Sequence, residues 1–109
     1  MTDNFYTISE KARLGKKFMD LKPDAAKSAM EFFKKAFEEG KLPKKTKELI
    51  AMACAHITQC PYCIDSHVKE AKKAGATDEE IAEAIYVAVA MAAGGAMAHA
   101  RIAMQSLEE

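Results

Sequence analysis

"CPYCIDSHVKEAKKAGATDEEI", residues 60–81, contains a helix start, a helix stop and a second helix start. Pro61 disfavours helical backbone at Cys60, and its own fixed φ suits the first position of a new helix. No other proline or glycine follows until Gly75, which stands where a helix ends. Thr77-Asp78-Glu79-Glu80 then reads as a capping box, the Thr77 hydroxyl taking an amide of the first turn while Glu80 reaches back. The stretch predicts one helix from Pro61 to about Ala74. A second follows at once, with Ile81, Ala84, Ile85 and Ala88 on one face.

The same punctuation extends upstream and downstream. Pro43 opens a helix through Leu49, Ile50, Ala53 and Ile57 that should stop near Thr58 or Gln59. Pro23 opens another, with Ala29, Met30, Phe32, Phe33, Ala36 and Phe37 at helical spacing and Gly40 as its terminating residue. Ser9 or a neighbour opens the first, which runs to about Asp20. Gly94-Gly95 should break or tightly pack the chain before a sixth helix that ends near Gln105. Helix formers dominate and strand-like alternation never holds for long. With no internal repeat or linker, the expectation is an all-α, single-domain bundle of about six helices over residues 1–109.

The chain is 109 residues long, half of it apolar, with sixteen basic and sixteen acidic residues. A zero formal charge argues against nucleic acid or an anionic membrane as partner. A monomer this small buries only roughly 65% of its unfolded surface, so assembly into a homo-oligomer would supply more burial. Residues 86–100, "YVAVAMAAGGAMAHA", carry no formal charge. They are mostly alanine and fall short of the roughly 20 strongly apolar residues of a membrane span. They are expected to be buried in the subunit core or an interface, with Met91, Met97 and Met104 as filler. Three cysteines and an N-terminus without a signal-peptide core suggest a reducing cytoplasm, where Cys-x-x-Cys is catalytic or metal-binding rather than a structural staple.

The chemistry centres on Cys60, Cys63 and His67. Cys60 falls at or just before a helix N-terminus and Cys63 in its first turn, where unpaired amides and the helix dipole favour thiolate over thiol. Two intervening residues allow a small disulfide to close with little backbone movement, which suits reversible thiol–disulfide exchange. His67 shares a helix face with Cys63 one turn away and can move its proton. The rival is a metal module built from Cys60, Cys63 and His67, with His56 as a possible fourth ligand. A non-catalytic, redox-responsive assembly module is a third reading. Cys54 is expected to be a buried small hydrophobe, and His56 and His99 to be structural.

Glu48, eleven residues, Cys60-x-x-Cys63, three residues and His67, continued by "HVKEAKKAGATDEEIAEAI", resemble the carboxymuconolactone decarboxylase superfamily, specifically its alkylhydroperoxidase D-like branch. The resemblance spans residues 41–104. It implies an all-helical subunit assembled into trimers or hexamers. It also implies an antioxidant peroxidase or disulfide reductase in which Cys60 and Cys63 are the redox pair and His67 and Glu48 form a proton relay. The substrate would be a peroxide or disulfide and the donor a dithiol or thioredoxin-like protein, with no bound cofactor. Better-characterised peroxidase members carry a histidine just before the second cysteine, where this chain has Tyr62. Decarboxylase members generally lack the dithiol. Regular helices would put Glu48 roughly 17 Å and His67 roughly 10 Å back from the Cys60 corner. A crossing angle, a bridging water or a third segment would then have to bring them together.

Overall fold

A computed structural model describes residues 10–109, and among them there are helices and no strand. α1 is Lys11–Asp20, α2 Pro23–Phe37, α3 Lys44–Thr58, α4 Pro61–Lys73 and α5 Asp78–Leu107. α3 is the central element, packed along α4 on one side and the first third of α5 on the other. α1 and α2 form a hairpin, and the end of α2 meets α3 at Ala36 and Phe37.

The expected punctuation operates at most boundaries. Pro43 is the N-cap of α3, and the helix stops at Thr58 with Gln59 in the left-handed region at φ 56°. Cys60 is the extended N-cap of α4 and Pro61 its first residue. Gly75, at φ 97°, terminates α4 while the Ala76 amide donates to the Ala71 carbonyl at 2.9 Å. The capping box forms as read, with Glu80 N–H to Thr77 Oγ1 at 3.1 Å and Thr77 N–H to Glu80 Oε1 at 2.9 Å. α1 starts at Lys11 with Glu10 as N-cap; Ser9 lies outside the described residues.

Four expectations are corrected. Gly40 does not terminate α2, whose C-cap is Glu38 in extended conformation. Two lysines of α3 satisfy the carbonyl end of α2 instead. Lys44 donates to the Phe37 carbonyl at 3.4 Å, and Lys47 to those of Ala36, at 3.1 Å, and Glu38. Such ammonium groups suit the negative end of the helix dipole. Next, the buried stripe of α3 is Glu48, Met52 and Ala55, while Ile50 and Ile57 are exposed.

Third, there are five helices over these residues, not about six. Gly94 and Gly95 sit inside an unbroken α5, because a glycine pair only weakens a helix by propensity and nothing there competes for the backbone. Fourth, of the core-or-interface expectation for residues 86–100 only the core half is overturned: the glycine-containing half of α5 is not buried within a single chain. Ile81, Ala84, Ile85 and Ala88 face inward as expected, but every residue from Val89 onward is exposed, Met91, Met97 and Met104 included. Length explains this: thirty residues extend about 45 Å, whereas the fifteen of α3 cover about 22 Å. α5 alone among the described helices is long and apolar enough to cross a membrane.

At the start of α5, the Lys45 ammonium and then the Thr77 amide hold the Glu80 carboxyl below its ordinary value of 4.5. A lowered folded pKa gives stability that is complete above the ordinary value and is lost as pH falls through the folded one. Thr77→Ala is expected to cost about 1 kcal/mol in urea denaturation through loss of the cap. Glu80→Gln keeps the capping geometry, so its deficit against the parent should close as pH drops below 4.5; a deficit unchanged in acid would contradict this.

Candidate functional site

The site forms where α3 turns into α4. Gln59 reverses the chain and Cys60 leaves it extended, so both cysteines come at the opening turn of α4. Cys60 and Cys63 are joined as a disulfide with Cα atoms 5.3 Å apart. Cys60 is also the N-cap acceptor, its Sγ 3.2 Å from the Cys63 amide. On reduction this amide remains a donor aimed at sulfur, the arrangement that favours a thiolate. Both cysteines and the whole of residues 60–68 are half-buried, which leaves the redox turn open to small reactants.

One turn further along α4, His67 Nδ1 meets Glu48 Oε1 at 2.9 Å and Oε2 at 3.4 Å. No bridging water or third segment is required. The corner is not a point: Glu48 lies ten residues before the end of α3 and His67 six after the start of α4. The axial offset is thus about 6 Å, within reach of the two side chains. Glu48 is in the second turn of α3, so it is not the helix-start dipole partner that its position near Pro43 suggests. Its side chain is almost fully enclosed, at 2% exposure against 25% for His67. A carboxylate there accepts, which assigns the hydrogen to Nδ1 and leaves Nε2 as the free base.

Two further side chains complete the group. Phe37 stacks on the His67 imidazole, ring centroids 5.1 Å apart and planes 7° from parallel. The Lys44 ammonium lies 5.3 Å over the Phe37 ring and 4.0 Å from Glu48 Oε2. The Phe37 ring also borders a shallow apolar cavity of about 260 Å³, lined with Leu42, Ile50 and Ala51 among others. Sequence reasoning missed both residues. Lys44 could have been found, because it stands four before Glu48 on one helix. Phe37 comes from a different helix and leaves no local signal.

The remaining candidates separate from this group. His56 Nδ1 is 2.8 Å from the Met52 carbonyl and His99 Nδ1 2.7 Å from that of Gly95, each one helical turn back, the structural arrangement expected of both. Cys54 is exposed, not buried, because it lies off the Glu48–Met52–Ala55 stripe. Among the described residues no three His, Cys, Asp or Glu side chains converge as a metal site. Lys11 is not simply solvated: its ammonium donates to the Tyr62 carbonyl at 3.3 Å and to Ser66 Oγ, tying α1 to the redox turn.

The burial asymmetry sets an order of stabilities. Removing the imidazole leaves an enclosed carboxylate with only Lys44 nearby, whereas Glu48→Gln retains an acceptor for a ring that can also reach water. His67→Ala should therefore lower the unfolding free energy by about 1–3 kcal/mol, more than Glu48→Gln does. Equal urea midpoints for the two variants would contradict this assignment of burial.

Residues 23–106 match the model of the carboxymuconolactone decarboxylase family. An uncharacterised protein of the cox locus of Paracoccus denitrificans is 57% identical over 76 residues, 70% of this chain and 68% of that protein. An alkyl hydroperoxide reductase of Mycobacterium tuberculosis is 42% identical over 55 residues, 50% of this chain but only 15% of that protein. A crystal structure of a Methanobacterium thermoautotrophicum protein superposes with a TM-score of 0.75 at 39% identity, covering 78% of this chain and 96% of that one. An all-helical fold, a dithiol at a helix start and a matching family model lead to one assignment: the chain belongs to the carboxymuconolactone decarboxylase family.

Proposed function

We propose that the protein is a thiol peroxidase of reducing, cytoplasmic surroundings, using Cys60 and Cys63 as a catalytic dithiol and His67 and Glu48 as a proton relay. The observation that carries the reading is the 2.9 Å contact from an enclosed Glu48 on α3 to His67, on the helix that bears the dithiol. With Nδ1–H held by the carboxylate, Nε2 takes the proton of the Cys63 thiol. The Cys63 thiolate attacks the terminal peroxide oxygen. The O–O bond breaks, and the departing alkoxide or hydroxide takes the proton back from His67. Cys63 is left as a sulfenic acid. The Cys60 sulfur attacks it, the S–O bond breaks, water leaves and the Cys60–Cys63 disulfide forms. Two electrons from a small dithiol or a thioredoxin-like protein restore both thiols, the donor becoming a disulfide. The same dithiol could instead reduce a disulfide substrate directly, the second reading of this site.

In a peroxide-consumption assay with excess dithiol reductant, Cys60→Ser and Cys63→Ser should each fall to background. His67→Ala should lose about 10²-fold in kcat/KM. Full activity in either serine variant would sink the dithiol mechanism. Peroxide oxidation of the thiols without turnover would favour the redox-responsive assembly module.

The reading extends to assembly with further copies of the chain. The accessible surface is 8754 Å², against about 6,000 Å² for a compact monomer of this mass. The radius of gyration is 18.0 Å, against about 13 Å. The surplus area exceeds the roughly 800 Å² per partner of a standard interface. Exposed apolar side chains concentrate on α5, such as Met97 at 80%, and on the α1–α2 hairpin, such as Phe18 at 76%. A bilayer is the poorer occupant for α5. Its first third is packed on α3, and the free remainder carries His99, Arg101, Gln105 and Ser106. Sedimentation at micromolar concentration should therefore report a homo-oligomer, a trimer or hexamer on the family resemblance. Met97→Glu should dissociate it; a stable monomer in the parent protein would contradict the assembly.

A further inference from the structure

We infer that Phe37 and Lys44 are positioning residues that fix the orientation and tautomer of His67. The inference rests on the relay reading above and deepens it. An imidazole held through Nδ1 alone can still pivot about that hydrogen bond and about its own side-chain torsion. The Phe37 ring, parallel to it within 7°, blocks the pivot by covering one face at ordinary stacking distance. Phe37 is itself fixed, because it is the last residue of α2 and its carbonyl is held by Lys44 at 3.4 Å. It is also the residue withdrawn from solvent in the second half of that helix, where Phe32, Phe33, Lys34, Lys35 and Ala36 are exposed.

Lys44 acts on the other partner. Its ammonium faces Glu48 Oε2 at 4.0 Å, while His67 Nδ1 favours Oε1 at 2.9 Å over Oε2 at 3.4 Å, so the cation draws on the oxygen that the imidazole holds less closely. This resists rotation of the carboxylate and keeps Oε1 aimed at Nδ1. The same ammonium lies over the Phe37 ring at 5.3 Å, an attractive cation–π placement that ties ring and carboxylate together. Three helices thus converge on one imidazole: α2 through Phe37, α3 through Lys44 and Glu48, and α4 through His67 itself. The result is a ring whose neutral form carries its hydrogen on Nδ1 and presents Nε2.

The test records long-range proton–nitrogen spectra of the histidine rings in the full-length, dithiol-reduced protein. His67 is assigned by its loss in His67→Gln, and peroxide kinetics are measured in parallel. The parent should show a single tautomer with protonated Nδ1. Phe37→Leu should show a mixture of tautomers and a kcat lowered roughly tenfold at unchanged KM, a fraction of the ~10²–10⁴ a placed general base contributes. Phe37→Tyr, which retains the ring, should restore both. Lys44 is 45% exposed in its side chain, so Lys44→Met tests the second half without opening the core, and it should move both readouts in the same direction. A Phe37→Leu protein with the parent's ring signals and kcat would overturn the role of Phe37; should that variant fail to fold, parent-like Lys44→Met would overturn the bracket. A parent without peroxidase activity whose Phe37→Leu variant still changes tautomer would defeat the proposed function and leave the positioning role standing.

Discussion

A carboxylate with 1% of its surface exposed sits at the centre of this subunit. An isolated buried charge is costly, and its persistence requires partners that hydrogen-bond and offset it. Glu48 finds two, from different directions: the imidazole of His67 across the helix corner and the ammonium of Lys44 one turn back. The contact to His67 sets the relation of α3 to α4, and α4 carries the dithiol at its start. The geometry that satisfies the buried charge is therefore also the geometry that holds a base near the cysteines. Replacing such a group by an apolar residue can leave stability unharmed, which makes a purely structural purpose a weak reason to keep it. Proton transfer is a stronger one.

Around this group the subunit is unfinished. Among the described residues, its buried apolar side chains are Met52 and four alanines, Ala55, Ala71, Ala76 and Ala88. So small a core leaves the α1–α2 hairpin and most of α5 with uncovered apolar surface. The two open surfaces also differ in charge: lysines crowd the hairpin, while α5 has an acidic first turn and a single arginine. In the proposed assembly, partner copies would cover both. The hairpin also reaches α4, through Lys11 on α1 at the Tyr62 carbonyl and Phe37 on α2 at His67. The proposed assembly and the proposed chemistry would thus share an element, and packing that fixed the hairpin would also fix Phe37 against His67.

Local signals made much of this legible in the sequence. Pro61, Gly75 and the Thr77–Glu80 box act through backbone geometry within a few residues, and each operates as read. The inward face of α5 over Ile81 to Ala88 follows from helical period alone. What could not be read depends on tertiary packing. The end of α2 is set by Lys44 and Lys47 from another helix, not by Gly40. The passage of α5 through Gly94-Gly95 reflects a modest propensity cost that local sequence could not weigh. The buried stripe of α3 runs through a charged residue, so apolar periodicity pointed to Ile50 and Ile57 instead. The Glu48–His67 contact was suggested by family resemblance, and helix lengths alone seemed to oppose it.

The most direct measurement of the central claim is a mass-spectrometric thiol map of the reduced protein after substoichiometric peroxide, followed in time. The account predicts that a Cys60–Cys63 disulfide forms first and stoichiometrically with peroxide consumed, that exposed Cys54 stays reduced, and that His67→Ala slows the appearance of the disulfide about 10²-fold. Oxidation at Cys54 ahead of the pair, or a disulfide that forms at the parent rate without His67, would contradict it.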